Sequence, residues 1–178
     1  TTKRWIENYY RLSEECRARL VIENDDKASM YSVRDLYEMV HIVTEIPITF
    51  DYWHHTFNTG DLTEAEAFFM ARETWDKHGV TQCTHYSESR RREHQLLIER
   101  MFKHHNIDMA NIEKWPTFHK EYKAFSKIKE QAHADYITKL PDTYGVDNLD
   151  IVVEAKAKEM ALQNINVQCV QNTSIITE

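Results

Sequence analysis

The residues best suited to chemistry stand in the stretch FDYWHHTFN, residues 50–58, directly after the apolar run IPIT. Asp51 and His54 are separated by two residues, and His55 follows at once. Carboxylate oxygen and neutral imidazole nitrogen are ligands suited to Mn²⁺, Zn²⁺ and related divalent ions. The spacing lets a carboxylate at a strand end and an imidazole in the following loop reach one ion. We expect Asp51 and His54 to be ligands and His55 to be their neighbour.

Four short, largely apolar segments each end in a residue that a protein core does not normally contain. The segments are residues 19–23, 46–51, 80–85 and 149–154, and their last residues are Glu23, Asp51, His85 and Glu154. Any one of the acids could equally be a helix N-cap or a surface residue. A buried charge without a partner is costly, however, so four such ends meeting at one place would require a cation. The joint pattern favours a metal site.

The elements between these segments are predicted to be helices. Helical periodicity covers residues 3–18 and 31–43, and residues 90–130 are mostly helical with a break at Trp115-Pro116. Thr63 and Glu66 form a capping box that starts a third helix, for which Gly79 is the expected C-cap, and a last helix is predicted from Ala155 to Leu162. Strands that alternate with helices predict a parallel sheet. In a βα-barrel, functional side chains gather at the carboxyl ends of such strands.

The composition sets limits on the kind of protein. A chain of 178 residues with 42% hydrophobic residues can form a domain with a core, and no run is apolar enough to cross a bilayer. Three cysteines (Cys16, Cys83, Cys169) are too few and scattered for a disulfide framework, and the first residues have no apolar signal core, which predicts an intracellular protein, cytoplasmic or nuclear. The net charge of −7 argues against a nucleic-acid partner, except that carboxylates holding cations are counted as negative.

Five sequence blocks resemble the C-terminal half of the UV damage endonucleases. They are IENDD, FDYWHH, THYSESR, HADY and VVEAKAKE, and they occur in that order between residues 19 and 162. The resemblance implies a TIM (β/α)8 barrel of the endonuclease IV and xylose isomerase type, of which this chain covers about the last four βα units. It implies one barrel half over residues 1–163, with residues 92–130 as an insertion and residues 164–178 as a C-terminal tail.

The resemblance also implies a function and a set of site residues. The family consists of excision-repair nucleases that use divalent metals, typically manganese, with zinc and magnesium as alternatives. They hydrolyse the phosphodiester on the 5′ side of UV photoproducts in double-stranded DNA. The blocks match the family's metal ligands at Glu23, Asp51, His54, His85 and Glu154. His133 matches a histidine close to the metals and the scissile phosphate, so His133 and His85 are the candidate catalytic residues. No DNA-contacting residues are assigned.

Two departures from the family accompany the match. Cys83 stands where the family has a modified lysine, so this position is either a soft metal ligand or a packing residue. The first four βα units of the family's barrel have no counterpart here, and a half-barrel leaves unpaired strand edges. We therefore expect an N-terminal half-barrel in the same chain or in another chain as a partner.

Two other functions are consistent with the pattern. A metal-dependent sugar isomerase or epimerase of the xylose-isomerase type would also carry Glu, Asp and His at strand ends. A non-catalytic half-barrel subunit is the second alternative, and Cys83 would then reflect the loss of a metal site. The presence of all six matching acids and imidazoles argues against the second alternative, because drift would have removed some of them.

Overall fold

The computed structural model describes residues 2–163 and 165, which fall into two compact units. The first unit comprises the chain up to Tyr86 together with Leu140–Val153, and the second comprises Ser87–Lys139 with the chain from Glu154 onward. Cys169 and all of the predicted tail except Ile165 lie outside the described residues. Among the helices of the described residues, none combines the length and apolar character that crossing a bilayer requires.

The first unit is built on one sheet of four parallel strands in the order β1-β2-β3-β4. The strands are β1 (Ile22–Glu23), β2 (Ile48–Asp51), β3 (Gln82–Tyr86) and β4 (Leu149–Val153). The register places Glu23 beside Thr49 and Asp51 beside His85. Because parallel strands end at the same edge of a sheet, these three acid and imidazole residues share one end. The sheet confirms the predicted parallel α/β architecture, although β1 is shorter than the predicted segment 19–23.

The core of this unit lies against β2, whose four residues are all buried. Ile48 and Phe50 pack with Val33 and with Ala67 and Phe68 of α6 (Glu64–Glu73), all of them fully buried. The predicted capping box of Thr63 and Glu66 is confirmed at the start of α6. The helix ends at Glu73 rather than near Gly79. Thr74 follows as its C-cap, and the Thr74 hydroxyl accepts a hydrogen bond from the Ile48 backbone N–H at 2.8 Å.

The N-terminal helices depart from their predicted bounds for local reasons. The helix expected over 3–18 is two helices, α1 (Thr2–Tyr9) and α2 (Glu14–Arg17), because the Ser13 side chain accepts from the Cys16 N–H and starts a new helix. The second predicted helix contains α3 (Val33–Leu36), a π-helical turn (Tyr37–His41) and α4 (Ile42–Thr44). The π-helical turn shifts the helical phase, so Val40 is buried whereas Val43, three residues later, is 52% exposed.

A single short helix follows β2. It is α5 (Tyr52–His55), and it holds both histidines of the opening motif in its one turn. The loop 140–148 returns to the same part of the unit: the Tyr52 hydroxyl donates to the Asp142 carbonyl at 2.9 Å, and the Tyr144 hydroxyl donates to Glu64 at 2.7 Å. Tyr52, which follows β2, and Glu64, the first residue of α6, are therefore each held by a part-buried contact with the loop 140–148.

The second unit is mainly helical. It contains α7 (Arg90–His105), a 3₁₀ segment (Met109–Lys114) and α8 (Pro116–Phe125), which confirms the predicted helical content and the break at Trp115-Pro116. The helix predicted from Ala155 begins only at residue 159. The backbone N–H groups of Lys156 and Ala157 instead donate to the carbonyls of Ala134 and Asp135, so that stretch is held in a turn. The domain boundaries inferred from the resemblance, including the insertion at 92–130, stay predictions.

Candidate metal centre

Glu23 links the two imidazoles of the first unit. One of its carboxylate oxygens lies 3.2 Å from Nδ1 of His54, and the other lies 3.3 Å from Nδ1 of His85. The three residues come from the end of β1, from α5 and from β3. Residues that are 31 and 62 positions away from Glu23 in the chain are thus brought to one carboxylate by the register of the sheet.

Asp51 serves as a helix cap and as part of the cluster at the same time. It is fully buried at the end of β2, and its Oδ1 accepts a hydrogen bond of 2.7 Å from the His54 backbone N–H. Its Oδ2 lies 3.7 Å from Nδ1 of His54. The N-cap explanation and the metal-ligand explanation of this acid are therefore compatible, because each uses a different oxygen.

Asn24 is a site residue that the sequence analysis missed. Its amide donates to the Asp51 carbonyl at 3.0 Å and accepts from the Asp51 N–H at 2.9 Å, so the side chain continues the β1–β2 ladder past Glu23. The backbone carbonyl of Asn24 accepts a hydrogen bond from Nδ1 of His54 at 2.8 Å. Because a carbonyl cannot donate, this bond fixes the tautomer of the His54 ring. The sequence signal for this role is an asparagine immediately after a strand end, and its complete burial is known only from the structure.

The charges of this cluster shift two pKa values strongly. Burial raises the pKa of Glu23, but hydrogen bonds from His54 and His85 outweigh it and lower that pKa to about 2. The hydrogen bond to Glu23, assisted by the charge of Asp51 and opposed by burial, raises the pKa of His54 to about 9. In the protein without a cation, His54 is consequently protonated at neutral pH and balances the carboxylates. A divalent ion would supply that positive charge itself and leave the imidazole neutral.

The donor set suits a small divalent ion. Ligand atoms of Glu23, Asp51 and His54 all lie within 4.8 Å of one another. Two ligands that are each about 2.1 Å from an ion lie roughly 3 Å apart when adjacent and about 4.2 Å apart when opposite. Separations of at most 4.8 Å are close to that range, so a small contraction would form a coordination shell. The side chains present therefore fit a metal of the Mn²⁺ or Zn²⁺ class.

Two neighbouring residues differ from these ligands. His55 is buried against the Phe50 ring, with 5.4 Å between ring centroids, and burial lowers its pKa. Its position agrees with the prediction that it is a neighbour. Cys83 lies on β3 and alternates in burial with Thr84, which puts it on the face of His85. Burial and the charges of Asp150 and Glu23 raise the pKa of its thiol, which disfavours the thiolate form that binds metals.

His133 and Glu154 form a pair within the second unit. Nδ1 of His133 lies 3.5 Å from a Glu154 carboxylate oxygen and 3.3 Å from the Glu154 backbone carbonyl. His133 also forms an antiparallel bridge with Ser89, and the Ser87 hydroxyl donates to the Glu154 carbonyl at 2.7 Å. The blocks THYSESR, HADY and VVEAKAKE, which are far apart in the sequence, are therefore in direct contact here.

Two carboxylates hold the segment that follows His133. Glu93 accepts from the backbone N–H groups of Asp135 and Tyr136 at 2.8 and 3.1 Å, one on each carboxylate oxygen. Glu88 accepts from the N–H groups of Thr138 and Lys139 at 2.8 and 3.2 Å, both on Oε1. These ties give a loop the fixed backbone that a strand would otherwise provide. The sequence analysis used SESR only as part of a resemblance and missed this role.

Comparison with known proteins identifies the family. A sequence model described as UV-endonuclease UvdE matches residues 1–176, which is nearly the whole chain. This chain belongs to the UvdE family. The predicted recognition is thereby confirmed, and with it the assignment to a family of endonucleases.

Individual relatives agree with the UvdE assignment. The chain is 34% identical over 167 residues to the UV-damage endonuclease of Schizosaccharomyces pombe. The aligned region covers 91% of this chain and 22% of that protein. It is 26% identical over 162 residues to the UV DNA damage endonuclease of Bacillus cereus, which covers 90% of this chain and 41% of that protein. The chain thus spans less than half the length of these relatives.

A solved UvdE structure agrees with the fold. The crystal structure of SacUVDE matches with a TM-score of 0.62 and 26% sequence identity, over 96% of this chain and 46% of that one. Together with the four parallel strands, this match confirms the predicted TIM-barrel type of fold, of which the chain covers about half. The geometry described above brings Glu23, Asp51, His54 and His85 together in one unit and pairs His133 with Glu154 in the other.

Proposed function

We propose that this chain is the metal-binding half of a repair endonuclease that hydrolyses the phosphodiester 5′ to UV photoproducts in double-stranded DNA. The observation that carries the proposal is the group Glu23, Asp51 and His54, whose ligand atoms lie within 4.8 Å of one another at the strand ends of a UvdE family member. The relatives named above are UV-damage endonucleases, and this supports the same lesion class here.

The residues of the first unit act by holding and orienting. Glu23, Asp51 and His54 are the proposed ligands of this unit, with His85 as an additional ligand. Glu154, which belongs to the second unit, is proposed as a ligand from the family resemblance. A bound divalent cation supplies Lewis acidity for attack on the scissile phosphate and a positive charge for its oxygens. Asn24 keeps Nδ1 of His54 committed to a backbone carbonyl, so the imidazole cannot rotate freely. The buried capping bond fixes Oδ1 of Asp51, and Oδ2 would be the atom that holds the ion.

We assign the phosphate-contacting role to His133, with His85 as the second candidate catalytic residue. Nδ1 of His133 lies 3.3 Å from the Glu154 carbonyl and 3.5 Å from the Glu154 carboxylate, and we assign the contact with a phosphate oxygen, or the donation of a proton to the leaving oxygen, to Nε2. The loop ties from Glu88 and Glu93 keep this ring in place.

Manganese is the proposed resident ion, with zinc and magnesium as alternatives. The donor set of carboxylates and imidazoles, without a thiolate in the group, suits a hard to borderline ion. We also propose that an N-terminal half-barrel, in the same chain or another, completes the fold. The support is that β1 and β4 are the outer strands of the sheet within the described residues, and unpaired parallel edges require a neighbour.

The decisive experiment is a nicking assay on supercoiled plasmid with the native protein. We expect relaxation of UV-irradiated plasmid and not of unirradiated plasmid, its loss on chelation, and its recovery when Mn²⁺ is added back. His54→Gln, which removes a proposed ligand, should abolish nicking, whereas His78→Gln, a surface histidine of the same unit, should not. Mapping of the cut strand should place the break directly 5′ of a cyclobutane dimer.

The same assay separates the alternatives. Conversion of small ketoses by the metal-loaded protein, without nicking of irradiated plasmid, would favour a sugar isomerase. A native assembly that contains no transition metal and neither nicks DNA nor converts sugars would favour a non-catalytic half-barrel.

A further inference from the structure

The charge of this acidic chain is distributed unevenly. Residues 90–130 contain ten Arg and Lys against six Asp and Glu, a formal charge of +4, while the remainder has 12 basic and 23 acidic residues, a formal charge of −11. Surplus cations on one segment are the electrostatic signature of a nucleic-acid contact. The net charge of the whole chain, −7, argued against such a partner, but it does not reveal the positive charge of residues 90–130.

The cations at the C-terminal end of this segment are free to contact a ligand. Five exposed lysines form what we call the lysine surface: Lys114, Lys120, Lys123, Lys127 and Lys129. Within the part of the chain that the structure describes, none of the five lies within ion-pair distance of a carboxylate, whereas Arg90 and Arg91 are paired with Asp135 and Glu130. Lysines without ion pairs can release counterions from a polyanion, which is the source of affinity for DNA.

The packing of α8 turns its lysines outward. Phe118 packs on the rings of Phe102 and Trp115, and the Arg91 guanidinium stacks 5.3 Å from the Phe125 ring, so these aromatic residues mark the inner face. Lys120 and Lys123 are exposed on the other side, one turn apart, which corresponds to about 4.5 Å along the helix axis. That spacing is comparable to the roughly 3.4 Å per phosphate along one strand of a duplex.

The two ends of the segment 90–130 lie close to His133. Arg90, its first residue, donates its backbone N–H to the Ala132 carbonyl at 2.9 Å, and Ser89 bridges His133 in antiparallel fashion. The lysine surface is therefore carried by a mainly helical segment whose two ends lie beside the histidine that we assign to the scissile phosphate.

We infer that the lysine surface contacts the phosphate backbone of the duplex away from the cleaved bond, and so holds the DNA independently of the lesion. This inference rests on the proposed function, because that function supplies the duplex as the partner. Phosphate contacts position a protein on DNA without reading its sequence or its damage. The lysine surface accordingly adds affinity for damaged and undamaged duplex alike.

The test is a salt titration of DNA binding by the native protein. The probes are a short labelled duplex and the same duplex with one cyclobutane dimer, under chelation to prevent cutting. For Lys120→Gln/Lys123→Gln we expect affinity for both probes to fall about five- to tenfold at low salt, and the slope of log affinity against log salt to fall by about two. Glu121→Lys, on the same helix, should tighten binding to both probes.

A matched control removes two charges from the first unit. Lys3 and Arg19 are exposed and, among the described residues, neither lies within ion-pair distance of a carboxylate, so Lys3→Gln/Arg19→Gln should change neither affinity nor slope. The inference would be overturned if the two double variants had equal effects. It would also be overturned if neither the Lys120→Gln/Lys123→Gln variant nor Glu121→Lys changed binding. A loss of affinity in the lysine variant that is seen with single-stranded RNA, and with neither duplex, would also overturn it, since the partner would then be another nucleic acid.

Failure of this inference can be told from failure of the proposed function. If the native protein nicks irradiated plasmid but the lysine variants bind duplex normally, only the lysine surface is wrong. If the lysine variants lose salt-dependent duplex binding but the native protein never nicks irradiated plasmid, the surface stands and the nuclease assignment is wrong.

Discussion

The two candidate site regions hold their histidines in different ways. In the first unit, His54 and His85 meet Glu23 at the ends of paired strands, and Asp51 beside them is fully buried. In the second unit, His133 lies in a segment without regular secondary structure, and two glutamate carboxylates tie the residues that follow it. One region is positioned by a sheet, and the other by polar ties to a loop.

The difference shows where each region is vulnerable. Strand register fixes side-chain direction over many residues at once, so the metal group depends on a core that cannot change without loss of stability. A loop held by a few carboxylate hydrogen bonds can lose its geometry while the core stays folded. We therefore expect substitutions in the first region to affect metal binding and stability together, and substitutions in the second to affect activity alone.

The largest effect is expected for Glu23→Gln. A neutral amide cannot accept charge-assisted hydrogen bonds from His54 and His85 as the carboxylate does, and it cannot hold a divalent ion as tightly. We expect loss of tightly bound metal and at least about 100-fold slower nicking. Metal analysis by mass spectrometry, together with the plasmid assay, measures both. Asp26→Asn in the neighbouring turn is the control, and full metal content in Glu23→Gln would remove Glu23 from the ligand set.

Asn24→Ala tests whether the ladder extension positions the metal group. The substitution leaves the buried N–H and C=O groups of Asp51 without the Asn24 amide, so we expect about 2–4 kcal/mol of destabilisation. His54 keeps the backbone carbonyl of residue 24 as its partner, but the loss of the amide bonds to Asp51 would release that carbonyl from its fixed position, so metal affinity should fall about 10- to 100-fold. Urea unfolding and metal titration give the two values. Asn58→Ala, which removes bonds to exposed carbonyls, should change neither by much.

Glu93→Gln and Glu88→Gln should separate activity from stability in the second unit. Glu93 uses both oxygens to accept two N–H groups, and Gln would point its own N–H₂ at one of them. Glu88 accepts both N–H groups on one oxygen, which Gln retains, and the Thr138 hydroxyl beside the other oxygen can accept a hydrogen bond from the Gln amide. We expect about tenfold slower nicking for Glu93→Gln and near-normal nicking for Glu88→Gln, with unchanged melting temperatures.

Hydrogen exchange reports the cause of that difference. The amides of Asp135 and Tyr136 should exchange faster in Glu93→Gln, whereas those of the first unit should not. A large fall in melting temperature for Glu93→Gln would mean that the loop ties stabilise the fold instead of positioning His133.

The smallest effect is a pH dependence of the chelated protein. His54 has a folded-state pKa of about 9, above its usual 6.5, so the stability it contributes is complete below pH 6.5 and is lost as the pH rises through 9. Glu23, with a pKa of about 2, loses its contribution only as the pH falls through 2. We expect a loss of about 1 kcal/mol between pH 6.5 and pH 9 after allowance for solvent screening. Urea unfolding at the two pH values should show this loss in the native protein and not in His54→Gln.

The sequence by itself predicted the parallel sheet, the capping box of α6, the helical break at Trp115-Pro116 and the family. It also placed Glu23, Asp51 and His85 at strand ends, from which the register brings them together. These features depend on residues within a few positions of each other, or on the order of short blocks. Local patterns of that kind can be recognised without knowing what packs against them.

Only the tertiary structure decided the contacts that make these residues a site. The Asn24 amide reaches Asp51 across 27 positions, the Ser87 hydroxyl reaches Glu154 across 67, and Glu93 reaches Asp135 across 42. Other long-range bonds accompany the end of α6 at Glu73 and the start of the last helix at residue 159, where Thr74, Lys156 and Ala157 bond to backbone groups elsewhere. A buried polar group needs a hydrogen-bond partner, and that partner can come from any part of the chain that the fold brings near. The residues beside it in sequence therefore do not identify the partner.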